Sequence, residues 1–208
     1  MKGNKDRDEV LAAVKQSGSA LRFADESFRN DKEIVLAAVK EDGHALMYAD
    51  ESFQKDKEIV LAAVKQDGKA LKYADESLKK DREIVLVALK NGCPLFSADE
   101  SLKKDREVVM AAVKESGTDL EDADESLRKD REVVLEAVKQ DGRAFEHADE
   151  FLKKDREVFL EAIKQEGSGL YGRYLQNVDE SFRKDREIVL AAVKQEGSAF
   201  EDADESFR

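Results

Sequence analysis

An Asp-Glu pair returns along this chain at Asp25-Glu26, Asp50-Glu51, Asp75-Glu76, Asp99-Glu100, Asp124-Glu125, Asp149-Glu150, Asp179-Glu180 and Asp204-Glu205. The step is 25 residues, apart from one of 24 and one of 30. A unit that short cannot bury an apolar face alone. It has to stack on its neighbours, so the period selects a repeat architecture before any finer reading is attempted. Eight units fill residues 1–208 as a single array, approximately 1–30, 31–55, 56–80, 81–104, 105–129, 130–154, 155–184 and 185–208. No linker or second domain is left over.

Each unit reads as two helices. The first is predicted to open at an aspartate found in every unit, Asp6, Asp31, Asp56, Asp81, Asp105, Asp130, Asp155 and Asp185. The aspartate carboxylate suits an N-cap, accepting backbone N–H groups of the first turn. A glutamate two residues on (Glu33, Glu58, Glu83) adds charge of the sign the helix dipole favours. The body is IVLAAVK or a close variant, ending on a lysine such as Lys40, Lys65 or Lys139. A glycine follows in each unit, Gly43, Gly68 and Gly92 among them, and is predicted to take the left-handed C′ position. The second helix is expected to begin immediately afterwards, capped by Ser19, Thr118, Ser168 or Ser198, with Pro94 at N1 in the fourth unit. Leu21, Ala24 and Phe28 then fall at helical spacing, as do Leu71, Ala74 and Leu78. The sequence leaves open whether Asp75-Glu76-Ser77 continues this helix or breaks and recaps it.

The body of the first helix is apolar nearly all round, as expected for an inner helix with a repeat on either side. One edge accepts charge: Ala37 and Ala62 become Glu136 and Glu161, so that edge is expected to face water. Glu9 stands where later units carry Ile34, Ile59 or Ile84, a polar substitution suited to a capping repeat. The last unit has no matching substitution, which points to end-to-end association or to a longer array. The predicted fold class is all-α, an α-solenoid of eight 25-residue helix-turn-helix repeats with one continuous core.

The residues also carry a family likeness. The run DREIVLAAVKQ with its trailing glycine, followed by AL-x-YA and an acidic turn, resembles the tandem repeats of domain-of-unknown-function family 4116. The likeness covers essentially the whole chain and implies a repeated helical array. It implies no activity. The order Asp75-Glu76-Ser77 departs locally from the family, whose members carry a serine near the Asp75 position with acids after it.

Composition bounds the functional classes. Charged residues make up 40% and hydrophobic residues 41%, a mixture too aliphatic for an acidic disordered chain. No run approaches the roughly 20 apolar residues of a membrane span, and MKGNKDRDEV lacks the apolar core of a secretory signal. A soluble, cytoplasmic protein is therefore expected. The single cysteine, Cys93, permits no internal disulfide and reads as a small buried side chain. Residues 1–104 hold 19 basic and 20 acidic side chains, and residues 105–208 hold 17 and 28, giving net charges of −1 and −11. A chain so charged repels phosphate backbones, which weighs against a nucleic-acid-reading array.

Three features are candidates for function. The repeated Asp-Glu pair would form acidic ladders, but Asp75-Glu76-Ser77 offers too few oxygen ligands for a calcium loop and lysines follow at once. Its reading is structural, with no metal and no cofactor. The second candidate is the variable pair before each Ala-Asp-Glu: Arg22-Phe23, Met47-Tyr48, Lys72-Tyr73 and Phe96-Ser97, then Glu121-Asp122, Glu146-His147, Gln176-Asn177 and Glu201-Asp202. In a stack these positions form a stripe running from basic and aromatic to acidic. Arg22, Phe23, Met47, Tyr48, Lys72, Tyr73 and Phe96 are of types favoured in interface cores. Packing of the aromatics between repeats is the competing reading. The third candidate is a five-residue insertion in unit seven, GSGLYGRYLQNVDES, whose Tyr171, Arg173 and Tyr174 are hot-spot types. No catalytic motif occurs, and His44 and His147 are far apart in sequence. A non-enzymatic protein- or peptide-binding scaffold is therefore expected, with end-to-end self-assembly as the alternative.

Overall fold

The repeated aspartates do start helices. In the computed structural model, which describes residues 2–165, 175 and 178–207, Asp31 Oδ1 accepts the N–H groups of Glu33 and Ile34 at 3.0 and 3.2 Å. Asp56, Asp81, Asp105, Asp130, Asp155 and Asp185 each accept from the same two positions of their own first turn. The long helices that follow are α2 (Lys32–Glu41), α3 (Lys57–Gln66), α4 (Arg82–Lys90), α5 (Arg106–Glu115), α6 (Arg131–Gln140), α7 (Arg156–Lys164) and α8 (Arg186–Gln195). The first repeat differs. Its helix α1 runs Lys2–Gln16, so Asp6 lies inside the helix and does not cap it. No strand occurs among the described residues, and no helix there is long and apolar enough to cross a membrane.

The chain forms two compact units, Met1–Leu102 and Lys103–Arg208. In the first, α1 packs on α2, α2 on α3 and α3 on α4; in the second, α5 packs on α6, α6 on α7 and α7 on α8. Ile34, Val35, Ala38 and Val39 of α2 are fully buried, as are their equivalents in α3 and in α6. Burying each Val or Ile contributes roughly 1.5–3 kcal/mol relative to exposure, so the aliphatic body of the repeat is where cohesion arises. Glu9, at the register of buried Ile34, is exposed. That register faces the preceding repeat.

The glycines correct a prediction. Among the described residues only Gly92 has a positive φ, at +82°. There α4 ends in a Schellman motif: Cys93 N–H donates to Ala88 O and Gly92 N–H to Leu89 O. Gly43 and Gly68 are not left-handed. A Cβ on Gly68 would stand 2.0 Å from Ala88 O, and one on Gly43 2.5 Å from Ala63 O. The glycine lets one repeat's chain approach the helix carbonyls of the next, a requirement for space and not for a left-handed φ. The fourth repeat is one residue shorter before its glycine, and the deletion switches the helix end to the left-handed geometry.

The second element is not one α-helix. The six residues from Gly18, Gly43, Gly68, Gly117, Gly142 and Gly197 form 3₁₀ segments, and Ala49 and Asp50 break the one over Gly43–Tyr48. The cap is the residue before the glycine: Asp42, Asp67 and Asp141 accept the N–H groups of His44, Lys69 and Arg143. Ser19 and Thr118, expected as caps, instead pair side chain to side chain with Ser17 and Ser116 at 2.9 and 3.0 Å. Ser198 donates to Glu196. Pro94 precedes the short 3₁₀ turn Leu95–Ser97 rather than opening it. After the break the Asp-Glu-Ser recaps a last turn, with Asp50 Oδ1 accepting from Ser52 N–H and from Ser52 Oγ–H at 2.9 and 2.6 Å. Among the described residues the repeat is thus a long helix, a 3₁₀ segment and a recapped turn.

Candidate functional site

The loudest motif is consumed by the joint between repeats. The N–H of Asp50 donates to Arg29 O of the preceding repeat at 3.0 Å, that of Asp75 to Gln54 O, that of Asp149 to Arg128 O and that of Asp204 to Arg183 O. The carboxylates cap their own turns, and a lysine of the preceding repeat stands near, as Lys55 does 4.0 Å from Asp75. The Ser77 hydroxyl, then its N–H, hold the Asp75 carboxyl below the usual carboxylate range. Among the described residues no three His, Cys, Asp or Glu side chains gather as a metal would need.

A second ladder ties the N-termini of successive long helices. Arg7 bonds Asp31 and Glu33, Lys32 pairs with Asp56 and Glu58, and Lys57 with Asp81 and Glu83. In the second unit Arg106, Arg131 and Arg156 fork in the same way onto the aspartate and glutamate of the next helix. Asp31, Asp56 and Asp130 are lowered in pKa first by that side-chain bond, from Arg7, Lys32 and Arg106 respectively. The aspartate that caps one helix is therefore also the acceptor that joins it to the previous one.

The variable stripe separates into two columns. The outer column, Arg22, Met47, Lys72 and Phe96 in the first unit and Glu121, Glu146 and Glu201 in the second, is exposed in every described repeat. The inner column is half-buried at Tyr48, Tyr73, Ser97, Asp122, His147 and Asp202, while Phe23 is 78% exposed. Tyr48 shares a surface depression with Glu26 and Arg29 of the preceding repeat, and the inner tyrosines are half-buried where the outer residues are exposed. Phe96 is 64% and Met47 44% exposed. The Arg22 guanidinium sits 4.5 Å from the Phe23 ring centroid and Lys72 Nζ 4.7 Å from that of Tyr73. His44 meets Tyr73 edge-on, with its Nδ1 3.2 Å from Asp67 Oδ2. The cations thus rest against one exposed ring, Phe23, and one half-buried ring, Tyr73.

Tyr171, Arg173 and Tyr174 of the insertion lie outside the described residues. Just before it, Phe151 is 79% exposed at a position where the other Asp-Glu pairs are followed by serine. Sequence reasoning passed over it, although a break in so regular a motif was signal enough. The Phe159 ring, where other repeats have valine, stacks on Phe182 at 4.8 Å and fills the core of the second unit.

The family of tandem repeats described as Domain of unknown function (DUF4116) matches residues 6–54, 56–103, 90–128, 105–153, 130–171 and 155–208. No curated protein and no solved structure matches the chain. With matched segments running nearly end to end, the chain belongs to the DUF4116 family.

Proposed function

We propose that the chain is a non-enzymatic repeat scaffold that binds a protein or peptide along the outer stripe of its first unit. The observation that carries the reading is the exposure of Phe23, Met47 and Phe96, three large apolar side chains on the same segment of different repeats. Scattered apolar residues on a surface need no explanation, but Met47 and Phe96 of the outer column, with Phe23 of the adjoining inner column and with Arg22 and Lys72, match the make-up of interface cores. The repeat's own cohesion does not use the outer column. The test is affinity capture with the full chain and with F23S/M47S/F96S, compared by quantitative mass spectrometry after matched thermal melts. Loss of specific partners from a variant that melts normally supports the reading, and an unchanged partner set overturns it.

End-to-end self-assembly is favoured by a separate observation. On the eighth repeat Leu190 and Phe200 are 49% and 42% exposed, and nothing lies within 4 Å of where a Gly197 Cβ would be. Sedimentation over a range of concentrations tests this reading. A constant monomer mass rejects it.

A further inference from the structure

We propose that the outer face of α2 and α3 is a docking groove for an acidic peptide carrying a bulky apolar anchor. It lies on the long helices, away from the 3₁₀ stripe, so it is a second surface and does not depend on the stripe being correct. The groove encloses about 460 Å³ between Leu36 and Lys40 of α2 and Glu58, Leu61, Ala62 and Lys65 of α3. Those α3 positions are spaced i, i+3, i+4 and i+7, a single helical face. Leu36 and Leu61 are only half-buried, unlike the Ile and Val on either side of them. Ala62 keeps the centre of the floor low, which leaves room for an incoming side chain.

Charge identifies the occupant. Lys40 and Lys65 are exposed and make no ion pair among the described residues, whereas Lys32 and Lys57 are committed to Asp56/Glu58 and Asp81/Glu83. Glu58, the acid on the groove wall, is already paired with Lys32. Gln66 closes the end and is held in place, accepting from Gly43 N–H at 2.7 Å and donating to Glu41 O at 3.1 Å. An apolar floor with two unpaired ammonium groups at one end fits carboxylates flanking an aliphatic or aromatic anchor, the helix-in-groove mode of recognition.

The second unit supplies the control. Its equivalent wall keeps Met110, Leu135, Lys114 and Lys139, but Glu136 replaces the alanine at the centre, and α7 carries Glu161 there. A half-buried carboxylate in the floor occupies the anchor's space and repels an acidic ligand. The repeat itself therefore offers a substitution, Ala62→Glu, that the fold already accommodates elsewhere.

The experiment displays random linear peptides on phage against the immobilised full chain, with A62E and K40E/K65E as comparison baits. Expected are sequences combining Asp or Glu with a large apolar residue, their synthetic forms losing about tenfold or more in affinity for A62E and for K40E/K65E. F23S/M47S/F96S should bind those peptides as well as the unsubstituted chain, which separates failure of the groove from failure of the stripe. No enrichment, a basic consensus, or equal binding to A62E overturns the proposal. So does a concentration-dependent dimer that A62E abolishes, since the occupant would then be a second copy. Matched thermal melts of A62E show that any loss is not loss of fold.

Discussion

The two units share their joints and differ in their surfaces. In both, an aspartate caps a long helix and receives a cation from the previous repeat, and a glycine admits the next repeat's carbonyls. The exposed positions diverge. The outer column is Arg22, Met47, Lys72 and Phe96 in the first unit and Glu121, Glu146 and Glu201 in the second, and the helix-face floor, Ala37, Ala62 and Val87 in the first unit, carries Glu136 and Glu161 beside Ala111 and Ala191 in the second. A chain that varies its surface while holding its joints constant separates the residues that build it from those its cohesion leaves free to change. The ladder cations differ as well. The first unit uses Lys32 and Lys57 beside Arg7, whereas the second uses Arg106, Arg131 and Arg156.

Substitutions at the joints should break this correspondence with the largest effects. Gly68→Ala puts a methyl against Ala88 O and is expected to cost about 3 kcal/mol in denaturant unfolding, with Gly117→Ala in the second unit costing a similar amount against Ala137 O. Gly197→Ala meets nothing and is expected to be neutral or to stabilise by about 0.5 kcal/mol. Equal costs at all three sites would remove close approach as the reason for the glycine. Next in size, Asp56→Ala and Asp130→Ala should each cost about 1–2 kcal/mol, since each aspartate caps its helix.

Acid should weaken both units. The caps have native pKa values below their unfolded ones, so their contribution is complete above about pH 5 and is lost as the pH falls below about 4 through the lowered values. A melting temperature that does not fall between pH 5 and pH 3 contradicts this sign. The smallest effect distinguishes the units. Lys57→Arg should raise the melting temperature slightly, and Arg131→Lys lower it slightly, because the forked guanidinium engages Asp and Glu together on a largely exposed site. High salt should shrink that difference.

The period, the caps and the aliphatic core were legible because each rests on local chemistry written eight times. Asp31 needs only its own first turn to be read as an N-cap. What failed was whatever depends on a neighbouring repeat. Gly43 looks like a C′ glycine in isolation, and only the carbonyl of Ala63 from the next repeat reveals its role. The ladder between Lys32 and Asp56 spans 24 residues and has no local signature. The apolar spacing of Leu71, Ala74 and Leu78 fits an α-helix, yet the chain breaks at Asp75 because its N–H is drawn to Gln54 O of the previous repeat. Of the candidate site, the identity of the stripe was readable, but which column faces solvent required the partial burial of Tyr48 and Tyr73 beside the exposed Met47 and Lys72. The groove was hidden because Leu36 and Leu61 are letters of the constant body, and only the change of Ala62 to Glu136 marks it.

Site-specific photo-crosslinking tests the central claim most directly, that binding belongs to the variable surface of the first unit. A photoreactive amino acid replaces Met47 or Phe96 in the first unit, or Glu121 or Glu146 at the same column of the second. Irradiation with cell extract should yield specific adducts from positions 47 and 96 and not from 121 and 146. Adducts of equal yield from both units, or from the second alone, would contradict the account.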